Sequence, residues 1–399
     1  MPGDHVNGAG PRGSVITRVT PIAIDKFLFV EVETRDGIVG TGEASSWAHL
    51  EATEAAIGKF GDYLVGRSAC DIAHHWEVMR RFGSYSGSVI MAAISAIDIA
   101  LWDIKGQRLG APIVDLLGGR FRDRVRVYGQ ARGASRAELV AHCLALKAAG
   151  FTAIGHVNPF LDGVEPQEQN RSDCQRMDEA VATLFEVREA LGQNVDLGVE
   201  LHRRLRPAEA IQLCGRIGAV APLFLEDPIR PDAPTAMASV QAATTIPIAT
   251  GERFYASGHF LQLLTTNAVR YLRPSIGLCG GITGMGRVAA LAAAFDVDII
   301  PHNPTSPIAT TAALHVALSV PNLLVAEFPT AHYTDDVATT DHIAGELVTA
   351  TPVQQDGHVR LGDAPGLGTA LRDGAIRRQP VRPIRVDMKL RADGSPMEH

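Results

Sequence analysis

The pattern of apolar and polar positions divides the chain into two regions of different rhythm. Residues 14–43 alternate apolar and polar positions as strands do, and the Asp-Gly step in "TRDGIVGTGEA" predicts a hairpin. From about residue 50 to 117 apolar residues recur at intervals of three and four, which predicts helices. We therefore expect an α+β capping domain over residues 14–124, preceded by a flexible tail at residues 1–13.

A second rhythm starts at residue 125, where short β-rich segments alternate with helical ones about every 25 residues. The predicted strands are VRVYGQA from residue 125, AIGHV from 153, DLGVEL from 196, LFLED from 223, PIATG from 247, VRYLRPS from 269, DIIPHN from 298 and NLLVAEF from 322. Eight strands with seven helical crossovers predict a parallel α/β barrel over residues 125–368, with its working face at the carboxyl ends of the strands. The alternative is an open doubly wound sheet, but no G-x-G-x-x-G motif follows an early strand. Residues 369–390 are predicted to return to the capping domain as a strand.

Composition narrows the class of protein further. The chain has 399 residues and a net charge of −7, which argues against a nucleic-acid partner because phosphate binding needs a basic surface. The five cysteines are scattered without a C-x-x-C pair, which is typical of reduced thiols and predicts a cytoplasmic protein. No uninterrupted apolar stretch approaches 18 residues, so no membrane segment is expected.

Three carboxylates follow consecutive predicted barrel strands at equal spacing. Glu200, Glu226 and Glu252 end the third, fourth and fifth strands, 26 residues apart in each case. Carboxylates that converge in a site of low dielectric repel each other unless a cation lies among them, and oxygen ligands favour Mg²⁺ first and Mn²⁺ second. The alternative is that each glutamate pairs with a nearby arginine such as Arg253 or Arg230. The regular spacing favours the metal site.

Other polar side chains are predicted to face the same rim. His302 ends the seventh strand and Glu327 the eighth, while His202 lies two positions after Glu200 and therefore points the same way. A single histidine at a strand end is more often structural than catalytic. Two histidines at strand ends beside a carboxylate cluster favour an active site.

The order of these motifs resembles the enolase superfamily, and within it the mandelate racemase subgroup, near the galactonate dehydratase-type sugar-acid dehydratases. The resemblance spans about residues 15–388 and rests on "AISAIDIALWDIKGQRLGAPIVDLLGG", "GERF", "GGITG" and "PHNP". It implies a cap over a modified (β/α)₇β TIM barrel that removes the proton next to a metal-bound carboxylate. It also implies that Glu200, Glu226 and Glu252 bind the metal.

The resemblance further implies a role for each of three residues. His302 would be the base, His202 the acid that protonates the departing β-hydroxyl, and Glu327 the support of the developing enediolate. The first metal ligand is more commonly an aspartate in this family, where this chain has Glu200.

Two further departures from the family pattern bear on the chemistry. The aspartate that usually partners the seventh-strand histidine is replaced by Ser275, which can orient an imidazole but cannot stabilise its cation as a carboxylate would. The second strand has no lysine and offers His156 and Asn158 instead. Strand alternation leaves open whether His156 faces the substrate or the opposite side.

The sequence thus predicts a Mg²⁺-dependent lyase that converts an aldonate-like sugar acid into a 2-keto-3-deoxy acid, as a homo-oligomer without a nucleic-acid or membrane partner. Two alternatives stay open: an epimerase, racemase or cycloisomerase of such acids, and a non-catalytic metal-dependent sugar-acid binding protein. The catalytic candidates are His202, His302, Glu327 and His156. The substrate-binding candidates are Asn158, Trp47, Arg253 and Ser275.

Overall fold

The computed structural model describes residues 13–45, 49–84, 86–161, 172–329, 346–374 and 394–396. An antiparallel sheet comes first, with strands β1 (Ile16–Ile24), β2 (Phe27–Thr34) and β3 (Val39–Ala44) in that order. The α-helices described after it are α1 (Leu50–Leu64), α2 (Ile72–Arg81), α3 (Ser88–Leu109) and α4 (Ile113–Leu116). These elements form the α+β layer that the sequence pattern predicts for the cap.

The predicted hairpin joins β2 to β3. Thr34 N–H donates to the carbonyl of Ile38 at 3.0 Å, and Gly37 takes a φ of +81°, which suits glycine in a tight turn. The register pairs Glu33 with Val39 and continues to Leu28 with Ala44. The hairpin prediction is confirmed.

Sheet and helix approach each other closely in the cap because β3 carries glycine on the face that meets α3. A β-carbon at Gly40 would lie 2.1 Å from the carbonyl oxygen of Ala100, and one at Gly42 would lie 1.9 Å from that of Ala96. Such distances are impossible for real side chains. Glycine at both positions therefore lets the long buried helix lie directly on the sheet.

The barrel strands occur where the sequence pattern predicts them. They are β4 (Val125–Gln130), β5 (Ala153–Val157), β6 (Asp196–Glu200), β7 (Phe224–Glu226), β8 (Ile248–Thr250), β9 (Tyr271–Leu272), β10 (Asp298–Ile299) and β11 (Ala326–Phe328). The crossover helices are α5 (Arg136–Ala148), α6 (Asp173–Leu191), α7 (Pro207–Ile217), α8 (Pro234–Ala242), α9 (Ser257–Thr265), α10 (Gly281–Ala293) and α11 (Pro307–Ser319).

The parallel sheet closes on itself. Each of β4 to β9 pairs with the next strand along the chain, and β11 pairs in parallel with β4. A parallel bridge from Ile299, on β10, to Leu323, three residues before β11, closes the remaining gap. A closed parallel sheet excludes the doubly wound alternative, which needs open edges. The barrel prediction is confirmed, and all carboxyl ends of its strands face one rim.

One element is absent from the sequence-based prediction. A short hairpin of β12 (Gln354–Gln355) and β13 (His358–Val359) adds to the sheet, where β13 runs antiparallel to the start of β4. It therefore lies at the amino-terminal end of the barrel, away from the predicted working face. The predicted tail at 1–13 and the return strand at 369–390 fall largely outside the described residues. The domain boundaries stay predictions.

Buried polar contacts hold the cap on the barrel. Glu43, on β3, accepts hydrogen bonds from the backbone N–H of Ser306 at 3.0 Å, from the Ser306 hydroxyl at 2.5 Å and from Ala309 N–H at 3.1 Å, at the start of α11. Asp98, on α3, accepts from Thr283 N–H at 2.9 Å. In the part of the chain that the structure describes, no helix combines the length and apolarity needed to cross a bilayer.

Candidate active site

Three glutamates meet at the carboxyl rim of the barrel. Glu200 and Glu226 are the last residues of β6 and β7 and are register partners, while Glu252 follows β8 by two positions. One carboxylate oxygen of each lies within 4.8 Å of those of the other two. The carboxyl rim of the barrel therefore brings these side chains together, although Glu226 pairs with Ala249 and Glu252 reaches the cluster from three residues further along the chain.

Burial makes the charge on this trio costly. Glu200 and Glu226 are each 1% exposed. Burial, and then repulsion from Glu226 and Glu252, raise the pKa of Glu200 well above its usual range. Burial likewise raises the pKa of Glu226 to about 8, although Arg273 opposes this. Burial would also raise the pKa of Glu252, but His302 and Arg203 hold it well below its usual range.

Two arginines that the sequence analysis did not single out pair with these acids. Arg203 contacts Glu252 at 2.6 Å and also pairs with Asp227, and its side chain is 4% exposed. Arg273, with 1% exposure, pairs with Glu226 and contacts Glu327 at 2.6 Å. The arginine-pairing alternative thus describes part of the site, with Arg203 and Arg273 as partners. The arginine within the strand segment "YLRPS" could have indicated such a pair, because a guanidinium that is buried in a barrel needs an anion beside it.

The donor set fits a hard divalent cation. Among the described residues, the ion pairs of this site set two guanidinium groups, on Arg203 and Arg273, against Asp227, Glu226, Glu252 and Glu327, and Glu200 adds a further carboxylate. Carboxylates therefore outnumber guanidinium groups, and burial first, then repulsion from neighbouring acids, raises the pKa values of Glu200 and Glu226. A cation among the three glutamates would relieve that repulsion through the oxygen ligands that Mg²⁺ and Mn²⁺ prefer.

His302 touches the trio at its Glu252 end. Its Nε2 lies 3.1 Å from Glu252 Oε2. Burial alone would lower the pKa of His302, but Glu252 and Glu327 raise it above the usual value. Ser275 lies beside His302 on the neighbouring strand, joined by a parallel bridge. Within the described residues, neither the buried Ser275 Oγ nor the buried His302 Nδ1 has a hydrogen-bond partner.

Glu327 is held from three sides. Its carboxylate accepts hydrogen bonds from Gln130 Nε2 at 2.5 Å, from Arg273 Nη2 at 2.6 Å and from the backbone N–H of Asn303 at 2.9 Å. Burial would raise its pKa, but Arg273 and His302 lower the pKa to about 2. Glu327 is therefore an anion with a fixed orientation. It cannot itself donate a proton at neutral pH.

A pair of histidines touches the trio at its Glu200 end. The ring centroids of His156 and His202 are 4.9 Å apart, with the planes at 66°. His156 lies where the pairing of β5 with β6 shifts register, and its φ is +57°. This irregularity, which alternation cannot predict, turns His156 toward His202. His202 itself has a φ of +46°, and its backbone N–H donates to Glu200 Oε1 at 2.6 Å.

The remaining candidates are placed differently. Asn158 is buried, and its side-chain oxygen accepts from Phe160 N–H at 3.0 Å, so it shapes the turn after β5. Arg253 is exposed. Trp47 lies outside the described residues. Substrate contacts for these three residues stay predictions.

Two family models match most of the chain. Residues 138–375 match the family model "Enolase C-terminal domain-like", and residues 10–118 match the model for the N-terminal domain of mandelate racemase / muconate lactonizing enzyme. The chain belongs to the enolase superfamily. The family resemblance inferred from the scattered motifs is thereby confirmed.

Individual members of the superfamily resemble the chain over nearly its full length. D-galactonate dehydratase of Ralstonia pickettii is 35% identical over 389 residues, which are 96% of this chain and 99% of that protein. An enolase from Agrobacterium radiobacter, crystallised with Na and L-malate, superposes with a TM-score of 0.88 at 26% identity and covers 96% of this chain and 100% of its own. The 3,6-anhydro-D-galactonate cycloisomerase from Zobellia galactanivorans gives a TM-score of 0.82 at 26% identity, with 92% and 99% covered.

The class of reaction follows from the D-galactonate dehydratases, of which that of Pectobacterium atrosepticum is also 33% identical over 90% of this chain. This member of the enolase superfamily is a dehydratase, and hence a carbon–oxygen lyase.

Proposed function

We propose that this enzyme is a Mg²⁺-dependent dehydratase of an aldonic or related sugar acid and that it releases a 2-keto-3-deoxy acid. One observation carries the proposal: two imidazoles lie beside the three converging glutamates, His302 at 3.1 Å from Glu252 and His202 with a ring nitrogen within 4.8 Å of a Glu200 oxygen. A base and an acid beside one metal-binding centre suit the removal of a proton and a hydroxyl from adjacent carbons.

The metal centre in this proposal consists of Glu200, Glu226 and Glu252. When bound, Mg²⁺, or Mn²⁺ in its place, would hold the substrate carboxylate and stabilise the negative charge that develops on its oxygens. The cluster geometry and the excess of carboxylates over guanidinium groups support this assignment.

The proton steps are assigned to the two imidazoles. His302, as the neutral base, takes the proton from C2 of the acid, and the electrons of the broken C2–H bond move into the carboxylate to give an enediolate. These electrons then form the C2–C3 double bond as the C3–O bond breaks, and His202 gives its proton to the departing hydroxyl, which leaves as water. The resulting enol takes a proton at C3 and loses the proton of its C2 hydroxyl, which gives the 2-keto-3-deoxy acid.

Glu327 acts through its neighbours in this proposal. Because its pKa lies near 2, it stays ionised and cannot donate a hydrogen bond to an enediolate. It instead holds the guanidinium of Arg273 and lowers the energy of a positive charge on His302. Glu327 therefore supports the enediolate indirectly, as a positioning residue.

The substrate class rests on the relatives. A full-length relative is a D-galactonate dehydratase, and a solved neighbour holds L-malate, itself a 2-hydroxy carboxylate. An aldonate offers the groups that the site requires: a carboxylate, a C2 proton and a C3 hydroxyl.

The test is a screen of acid sugars with Mg²⁺, read by semicarbazide detection of keto acids. The enzyme should form a keto acid from at least one aldonate, lose that activity in chelator and regain it with Mg²⁺. Glu226→Gln should abolish turnover with an unchanged circular dichroism spectrum, whereas the exposed Glu189→Gln should behave as wild type. Deuterium uptake from solvent without keto acid would indicate an isomerase instead. The absence of both keto acid and deuterium uptake across the whole panel would indicate a binding protein.

A further inference from the structure

A second set of ligand atoms lies beside the glutamate trio. One ring nitrogen each of His156 and His202 and one carboxylate oxygen of Glu200 all lie within 4.8 Å of one another. Glu200 belongs to both sets, but the donors differ: two imidazoles and one carboxylate here, against three carboxylates in the trio. The two sets should therefore prefer different ions.

The backbone holds both histidines in this arrangement. His156 lies on β5 and His202 follows the adjacent strand β6 by two positions, and both have left-handed backbone conformations, with φ of +57° and +46°. Residues other than glycine seldom take such conformations and keep them only where the surroundings enforce them. The rings meet edge to face with centroids 4.9 Å apart, so their nitrogens border one small space.

The donor chemistry favours a borderline-soft ion. Imidazole nitrogen is a good ligand for Zn²⁺, Co²⁺ and Ni²⁺, whereas Mg²⁺ prefers an all-oxygen shell. Neighbouring ligands on a tetrahedral Zn²⁺ lie about 3.3 Å apart, since each bond is about 2.0 Å. Small side-chain rotations therefore suffice to close the present separations around an ion.

We propose that His156, His202 and Glu200 form a second metal site, selective for Zn²⁺ or a similar transition-metal ion, that shares Glu200 with the Mg²⁺ centre. Two ions joined by one carboxylate at about 3.5–4 Å are an established arrangement in other metalloenzymes. A ligating imidazole must be unprotonated, so His202 cannot serve as an acid while the ion is bound. Zn²⁺ is therefore an inhibitor; this consequence and the neighbouring Mg²⁺ centre rest on the proposed function.

The binding test uses the full-length enzyme saturated with Mg²⁺. Zn²⁺ is titrated by calorimetry, and Co²⁺ by the visible absorption of its ligand-field bands. One site per chain is expected, with affinity lowered at least tenfold in His156→Phe, which keeps a ring against His202 but removes the nitrogens. His74→Phe, at an exposed histidine, should bind as wild type.

A second variant separates the two sites. Glu252→Gln removes a ligand from the trio only, so it should weaken Mg²⁺ binding and leave Zn²⁺ binding intact. Equal Zn²⁺ affinity in wild type and His156→Phe would overturn the proposal, as would Zn²⁺ binding that Mg²⁺ displaces competitively. If His156→Phe does not fold, His156→Ala provides the same comparison. Binding is measured without substrate, so failure to find a sugar-acid substrate would leave this result unaffected.

Discussion

Nε2 of His302 lies 3.1 Å from Oε2 of Glu252, so the histidine after the seventh barrel strand touches the carboxylate after the fifth. This contact places a titratable nitrogen beside Glu252, while a ring nitrogen of His202 lies within 4.8 Å of a carboxylate oxygen of Glu200. Each imidazole can be substituted on its own.

Substitution of each histidine should interrupt a different step. His302→Asn should lower turnover by about 10²–10⁴-fold and abolish exchange of the C2 proton with D₂O, because no base remains. His202→Asn should lower keto-acid formation similarly yet retain C2 exchange, because only departure of the hydroxyl is blocked. Proton NMR of the substrate in D₂O measures both. Loss of exchange in His202→Asn would contradict the assignment of the acid.

Ser275 lies beside His302 without a hydrogen bond between Oγ and Nδ1. Ser275→Asp should supply a carboxylate that stabilises the imidazolium, so the pH at which His302 loses its proton should rise. The limb of the kcat/KM profile that reports the base should therefore move to higher pH. Ser275→Asn is the control of similar size without charge and should leave that limb in place. An unmoved limb in Ser275→Asp would show that the added carboxylate does not reach His302.

The pair of Arg273 with Glu327 is buried on both sides, at 1% and 2% exposure of the side chains. Arg273→Gln should leave Glu226 and Glu327 without their guanidinium and lower the free energy of unfolding by about 3–5 kcal/mol. Chemical denaturation of the metal-free protein measures this loss. Arg360→Gln, at an exposed ion pair, should cost about 1 kcal/mol or less. The double variant Arg273→Gln with Glu327→Gln should recover part of the loss, since it removes one unpaired charge as well.

The free energy of unfolding should depend on pH through Glu43, which lies at the contact between the cap and the barrel. Burial raises its pKa to about 7, against the effect of its three hydrogen bonds from Ser306 and Ala309. The folded state thus binds this proton more tightly than the unfolded state. The contribution of Glu43 to stability is therefore largest below the unfolded pKa of about 4.5 and is lost as pH rises toward 7.

The difference between wild type and Glu43→Gln isolates this effect. The glutamine does not titrate, so the fall of the unfolding midpoint between pH 5 and 7 should be shallower in the variant than in wild type. Glu189→Gln, at an exposed site, should keep the wild-type slope. Thermal unfolding at several pH values measures all three proteins. Parallel curves for wild type and Glu43→Gln would mean that Glu43 does not titrate in this range.

Much of the fold could be predicted because it depends on local patterns. Each barrel strand lies within a hydrophobic segment of the sequence that is bounded by turn residues. The repeat of strand and helix then allows few topologies. The rim shared by Glu200, Glu226 and Glu252 followed from the same logic, since the carboxyl ends of consecutive parallel strands lie at one end of a barrel. Equal spacing did not place all three in register, because Glu226 pairs with Ala249, three residues before Glu252.

Other features were decided only by the tertiary structure. The alternation of side chains along a strand left open which way His156 points. The register shift between β5 and β6, which only the structure shows, sets its direction. Arg203 and Arg273 gained their roles when barrel closure brought acids from other strands around them, and no local pattern encodes such a pairing. The sequence by itself determined which strands form and which acids share a rim. The closed barrel decided which charges neutralise each other, because electrostatic energy depends on distance in space rather than separation along the chain.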